Sequence, residues 1–327
     1  MCAKLSRRSE PRRILVISMT NIGDVVLTCP VIDILRNDFP QAKIDVLTGP
    51  KAVSLFADNP GLITKVFNKQ APLKQKVSLL LDLYKGHYDC VVDLRMTALA
   101  FFLAPSFAAP VLFGPSFKGH KKGLHLDRLR QVYEFDTLSP KQHAILTTKE
   151  DESFFDKELA PVLQGEKYVV IAPGAADSAK RWHSKGFAAV ADQLATHAHV
   201  VFVGDDKDAR IVEDIQGLMK SKSLSLAGKI NLRQLAYVLK KCAWAMTHDS
   251  GVMHLACYFN VPVIALWGPT SLEKYAPWTE RSVIVRRNEK CVRCLDPKSK
   301  ALHDCMSYIQ VQDVLDAVKK LSAIKER

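Results

Sequence analysis

The chain has 327 residues, 48% of them hydrophobic, and a formal net charge of +12. That length suits about two domains at ~100–200 residues each. The longest apolar stretches, Ala98–Pro105 and Val261–Trp267, fall far short of the ~20 residues a membrane-spanning helix needs. No apolar signal-peptide core precedes Ile14, so export is not expected. Cys29, Cys90, Cys242 and Cys257 sit inside apolar runs, where a free thiol behaves as a small hydrophobe. That usage fits a reducing cytoplasm and not a secreted disulfide framework.

The first strand is expected at Ile14–Ser18, then a loop Met19–Asp24 and a helical run Val25–Asn37. Lys43–Leu47 reads as a strand, Lys74–Lys85 as a helix, and Tyr88–Leu94 and Val111–Phe113 as strands. The pattern weakens between Phe117 and Glu150, where Lys118–Arg130 forms a basic Gly/His-containing loop. It restarts with strand Lys167–Ile171, helix Gly186–Thr196, strand His199–Val203, helix Ala209–Met219 and strand Leu224–Leu226. Helix Leu232–Lys241, strand Ala243–Thr247, helix Gly251–Tyr258, strand Val261–Leu266 and a last helix Val311–Ile324 complete the series. Strands alternating with helices predict parallel sheets covered on both faces. We expect two α/β domains, 1–155 and 156–327, joined near Lys149–Gly165.

In open parallel sheets, ligands bind beyond the carboxyl ends of the strands, so the segments after each strand matter most. Asn21-Ile-Gly-Asp24 follows the first strand and opens a helix; Asp24 is either a helix cap or a general base. Pro173–Trp182 is a small-residue loop ending in Lys180-Arg181-Trp182. It is an ordinary connection or a place where backbone N–H groups and a cation meet a phosphate. Gly204–Asp208 offers carboxylates for capping, or for a ribose hydroxyl. His248–His254 starts a helix with Ser250-Gly251, and His254 lies one turn on, facing back towards any anion held at that positive end. Cys291-Val-Arg-Cys294 with Cys305 and His303 admits a Cys₃His zinc site, loop packing or a redox-sensitive thiol pair. The sequence leaves open whether these cysteines bind a metal.

Taken in order, N-I-G-D after the first strand, P-G-x(5)-K-R-W, D-S-G-V-M-H-L-A, P-V-I-A-L-W-G-P-T and the C-x-x-C…H-D-C-M segment resemble glycosyltransferase family 9. Within it, the chain is similar to the lipopolysaccharide heptosyltransferases of the heptosyltransferase II-like group. His183 stands after Trp182 where Pro is frequent. The resemblance implies a GT-B fold, with two Rossmann-like domains facing a central cleft and the last helix crossing back to the first domain. It implies an ADP-heptose donor, a lipopolysaccharide inner-core acceptor, inversion without a metal, and no cofactor. It places the catalytic base on Asp24 and donor contacts on Lys180, Asp208, Asp249, Ser250, Gly251 and His254. In this fold the first domain receives the acceptor, which would put Lys121, Lys122, Arg128 and Arg130 against an anionic lipid acceptor at the membrane surface. The enzyme would be cytoplasmic and peripheral on the inner face of the cytoplasmic membrane. Another nucleotide-sugar donor, or a sugar-nucleotide epimerase on the same fold, are the alternatives. No nucleic-acid-binding module is recognisable, and no nucleic-acid partner is expected.

Overall fold

The apolar runs form two separate parallel sheets in the computed structural model of the chain, which describes residues 5, 10–97, 99–103, 107–108, 118–135, 143–288, 291–296, 298–299, 301 and 303–324. The contacts divide the chain into two units, 1–146 and 147–327.

In the first unit the chain runs β1 (Arg13–Ile17), α1 (Ile22–Asp38), β2 (Lys43–Thr48), β3 (Leu62–Val66), α2 (Leu73–Lys85), β4 (Cys90–Asp93), α3 (Leu99–Leu103), β5 (Phe107–Ala108) and α4 (Lys121–Val132). The sheet order is β3-β2-β1-β4-β5, and every pairing is parallel. β1, β2 and β4 are almost wholly buried, as strands covered on both faces are; Asp45, inside β2, pairs with Arg13 at 3.2 Å. β3 is a short edge strand of mixed exposure, which is why its sequence signal is weak. The expected strand Val111–Phe113 lies outside the described residues.

α1 is buried nearly all round, from Val25 to Arg36. Its polar residues are satisfied internally: Thr28 Oγ1 is 2.7 Å from Ser18 Oγ, and Asp33 accepts from the Ala144 N–H at 2.6 Å. The expected basic loop 118–130 is corrected: Lys121–Val132 is the helix α4. His120 caps it, its Nδ1 accepting from the Lys122 N–H at 3.2 Å. His125, Leu126, Leu129 and Val132 are its buried residues, and it packs on α1. That stripe has helical spacing, but Gly123 and four cations obscure it in the sequence.

The second unit runs α5 (Lys149–Glu158), α6 (Ala160–Leu163), β6 (Tyr168–Ala172), α7 (Ser184–Leu194), β7 (His199–Phe202), α8 (Ala209–Leu218), β8 (Leu224–Ser225), α9 (Leu232–Lys241), β9 (Ala245–His248), α10 (Gly251–Tyr258), β10 (Val263–Leu266), α11 (Leu272–Tyr275), β11 (Ser282–Val285), α12 (Val292–Leu295) and α13 (Val311–Ile324). Its sheet, β11-β10-β9-β6-β7-β8, is also parallel throughout. The expected boundary at 155/156 falls inside α5. α5 belongs to the second unit because Arg233 of α9 pairs with Asp151 at 2.9 Å and Glu150 at 3.3 Å. α13 packs on β10, β11 and α7 and places Val314, Ala317 and Leu321 in this unit's core.

Candidate active site

In each unit the parallel strands end at one edge, so the loops that follow them gather there. In the first unit the β1–α1 loop is braced from β2: Thr48 Oγ1 donates to the Met19 carbonyl at 3.2 Å, and the Gly49 N–H donates to the same oxygen at 3.3 Å. A Cβ on Gly49 would lie 2.7 Å from the Thr20 carbonyl oxygen, so only glycine allows this approach. Asn21, not Asp24, is the N-cap of α1. Asp24 stands in the first turn, partly exposed, and its carboxylate accepts from Asn21 Nδ2 at 3.3 Å. The positive end of α1 favours a negative charge there.

Asp93 carries no motif that marks it in the sequence. It ends β4, is buried, and accepts from the N–H of Arg95 (3.0 Å), the N–H of Thr97 (2.7 Å) and Thr97 Oγ1 (2.8 Å). Burial raises its pKa, against the pull of those hydrogen bonds. It shapes the turn onto which Arg128 docks: the guanidinium donates to the Leu94 carbonyl and lies against Met96 Sδ.

The four cations of α4 are not one patch. At about 3.6 residues per turn, Lys121 and Arg128 share a face and Arg130 points from nearly the opposite one. Arg130 pairs with Asp127 at 2.7 Å and lies over the Phe135 ring at 4.8 Å.

In the second unit Lys180, Asp249 and His254 come together, beside Ser250 and Gly251 at the start of α10. After β6, the loop 173–182 folds back on itself, with Arg181 Nε and Nη2 donating to the Ala175 carbonyl at 2.8 and 2.6 Å. It turns through a short 3-10 segment, Ser178–Lys180. Lys180 Nζ reaches Asp249 Oδ2 at 2.7 Å, and His254 Nε2 lies 3.8 Å from Asp249 Oδ1. Ser250 is the N-cap of α10 but makes no side-chain cap bond; its hydroxyl pairs with Thr247 Oγ1 at 2.9 Å. The first-turn N–H groups of α10, beginning at Gly251, have no intrahelical acceptor and stand beside a lysine. Such a combination is chemically suited to an anion.

Asp208 packs against the loops that follow β6 and β7. A Cβ on Gly174 would sit 2.1–2.2 Å from its carboxylate, and one on Gly204 2.5 Å from its Cβ. Two glycines after two neighbouring strands therefore make room for this one side chain. Burial raises its pKa first of all, with the Asp205 charge adding to that and Arg181 opposing it. Asp205 caps the adjoining turn, accepting from the N–H groups of Lys207 (2.9 Å) and Asp208 (3.2 Å).

Two histidines hold the loop in place. His248, fully buried at the end of β9, accepts from the Trp182 N–H at 2.9 Å through Nε2, and its Nδ1 lies 3.4 Å from the Gly174 carbonyl. Burial pushes its pKa down to about 4, so the ring is neutral and those partners assign the proton to Nδ1. His183 is the N-cap of α7: its Nδ1 accepts from the Gly186 N–H at 2.8 Å. Trp182 between them packs over Gly186, where a Cβ would lie 2.4 Å from the indole ring.

Two units, each a parallel sheet of Rossmann-like order, are the architecture of the GT-B glycosyltransferases. A solved glycosyltransferase of family 9 from Veillonella parvula superposes with a TM-score of 0.80 at 22% identity, over 95% of this chain and 97% of that one. The ADP-heptose lipopolysaccharide heptosyltransferase II of Escherichia coli does so with a TM-score of 0.77 at 20% identity, over 96% and 100%. In sequence, lipooligosaccharide heptosyltransferase 2 of Campylobacter jejuni is 24% identical, over 93% of this chain and 97% of that protein. The model of glycosyltransferase family 9 (heptosyltransferase) matches residues 122–303, and the chain belongs to that family. The matched span contains Lys180, Asp208 and Asp249–His254; Asp24 and Lys121 precede it.

Proposed function

We propose that this glycosyltransferase moves a heptose from ADP-heptose to an inner-core sugar of lipopolysaccharide or lipooligosaccharide, inverting the anomeric carbon. The observation that carries this reading is the Lys180–Asp249 pair at the start of α10. The names of the relatives supply the sugar and the acceptor. Asp249 holds the lysine in position, and the donor's diphosphate takes up its charge together with the N–H groups of the α10 first turn. Asp208 accepts from the ribose hydroxyls. Asp24 takes the proton of the acceptor hydroxyl as its oxygen bonds to the anomeric carbon. The bond from that carbon to the diphosphate oxygen breaks through an oxocarbenium-like state, and ADP departs with the electron pair. Fixed donors aimed at the leaving diphosphate stabilise the growing charge, which is the task a divalent ion performs in other transferases.

The test is to incubate the purified protein with ADP-heptose and heptose-deficient lipopolysaccharide and read the product by mass spectrometry. Heptose transfer without added Mg²⁺ or Mn²⁺ is expected. Transfer only from GDP- or UDP-sugars overturns the donor assignment, and conversion of the donor without acceptor points to an epimerase. A strict requirement for added Mg²⁺ or Mn²⁺ moves Asp205, Asp206 and Asp208 into a metal-binding role.

We assign the acceptor's anionic groups to the cations of α4. Arg128 donates to the Leu94 carbonyl and Arg130 pairs with Asp127, while Lys121 and Lys122 stand in the first turn of the helix. Among the described residues no helix is long and apolar enough to cross a membrane; the lipopolysaccharide named for the relatives is lipid-borne, and we place its meeting with α4 at a membrane surface. Each cation near such a surface contributes about 1 kcal/mol. Lys121→Gln with Lys122→Gln is therefore expected to raise the acceptor's KM about 10–30-fold and to flatten its dependence on salt. ADP affinity, measured by calorimetry, should not change, and Arg130→Gln, on the other face of α4 and paired with Asp127, should raise the acceptor's KM less than the lysine pair does. Weakened ADP binding with intact acceptor kinetics contradicts the assignment.

A further inference from the structure

Cys29, Cys90, Cys242 and Cys257 are buried one by one at separate places in the fold. Three other cysteines meet one another. Cys291 is the N-cap of α12, and Cys294 lies one turn on, its N–H donating to the Cys291 carbonyl at 2.9 Å. Cys305 opens the 3-10 turn Cys305–Tyr308. Its sulfur is 3.3 Å from both Cys294 Sγ and Cys291 Sγ. His303 turns Nδ1 to the same point, 3.6 Å from Cys291 Sγ and 3.5 Å from Cys294 Sγ. All four donor atoms lie within 4.8 Å of one another.

A disulfide has its sulfurs about 2.03–2.05 Å apart, so none of these sulfurs is bonded to another. Bonds of about 2.3 Å to sulfur and about 2.0–2.1 Å to nitrogen around a tetrahedral ion place donor pairs about 3.5–3.8 Å apart. The two sulfur–nitrogen distances fit that edge, and the two sulfur–sulfur distances fall a few tenths of an ångström inside it. Three soft thiolates with one imidazole suit zinc.

We propose that Cys291, Cys294, Cys305 and His303 Nδ1 bind one structural zinc ion. Four protein ligands close the coordination shell and leave no position for substrate. The ion takes no part in sugar transfer and instead joins α12 to the turn at Cys305. The residues just after that turn support the donor loop. Met306 is buried against Gly268, where a Cβ would lie 2.9 Å from its sulfur, and the Ile309 carbonyl accepts from Trp182 Nε1 at 2.9 Å. Trp182 is two residues from Lys180. The zinc thus steadies the support beneath the donor loop, a consequence that rests on the donor reading of Lys180.

The site itself is tested without reference to donor. Protein purified under reducing conditions with no chelator should carry one zinc per chain by elemental mass spectrometry. Cobalt exchanged into the wild-type chain should give the thiolate-to-cobalt charge-transfer and intense visible bands of a tetrahedral sulfur site. Cys294→Ser and His303→Ala, both at partly exposed positions, should each lose the zinc. A metal-free protein with three freely reactive thiols overturns the site, as does an intact mass lighter by two hydrogens, the mark of a disulfide. Iron at one per chain overturns the choice of ion. If zinc is present, calorimetry of ADP with His303→Ala decides its role. Affinity reduced several-fold supports the link to the donor loop. Unchanged affinity in the zinc-free variant overturns that link and leaves the site standing.

Discussion

Asp24→Asn is expected to lower turnover by about 10²–10⁴-fold, the usual loss when a general base is removed. ADP-heptose affinity should stay within a few-fold, because the proposed donor contacts lie in the second unit. Asparagine keeps the shape and can still accept from Asn21 Nδ2, the partner that Asp24 has at 3.3 Å. What it loses at the helix start is the charge–dipole attraction, about 0.3–1 kcal/mol. A small change in melting temperature beside a large drop in kcat therefore separates a base from a helix-end stabiliser. Turnover within a few-fold of wild type at saturating acceptor would leave Asp24 only the second role. The acceptor's KM should move little, since the proton is taken in the transition state and not on binding.

Lys180→Ala is expected to reduce kcat/KM for the donor by about 10²–10³-fold, the scale seen when one fixed contact to a developing negative charge is deleted. Two effects combine. The leaving diphosphate loses a cation, and Asp249, whose side chain is only 9% exposed and sits 2.7 Å from the lysine, faces it without that cation. Removing one partner of a largely buried pair is destabilising. Lys180→Ala with Asp249→Asn should consequently recover part of the ADP affinity lost in Lys180→Ala alone. Calorimetry with ADP and steady-state kinetics on the two single variants and the double complete the cycle. Strictly additive losses would mean that the pair does not act as a unit. ADP affinity and kcat both unchanged in Lys180→Ala would remove the lysine from the donor site.

Much of this is legible in the residues themselves. β1, β4, β6, β9 and β10 are short apolar runs bounded by turn residues, and the expected bounds of α9, α10 and α13 agree with the structure, because periodicity and capping are local properties. The edge strands β3 and β11 are not legible: β3 mixes exposed and buried residues and is broken by Thr64 and Lys65, and the apolar run of β11 is only three residues long. α4 reads as a loop because its buried stripe is interrupted by glycine and cations. The expected domain joint falls inside α5, since nothing near Asp151 announces a partner at Arg233, 82 residues away.

Sequence by itself determined the α/β class, the alternation that makes both sheets parallel, and which loops lie after the strands. Those properties come from side-chain periodicity and from the backbone preferences of neighbouring residues. The tertiary structure alone decided the pairings across long separations. Lys180 meets Asp249 across 69 residues and Trp182 is held by His248 across 66, while Asp208 takes the space left by Gly174. Such contacts depend on the order in which parallel crossovers set β6, β7 and β9 side by side, and sheet order is not a local property. The same holds for Cys291, Cys294, His303 and Cys305. Their spacing admits a zinc site, a packed loop or a thiol pair, and only the fold of the chain between them brings four donor atoms to one point.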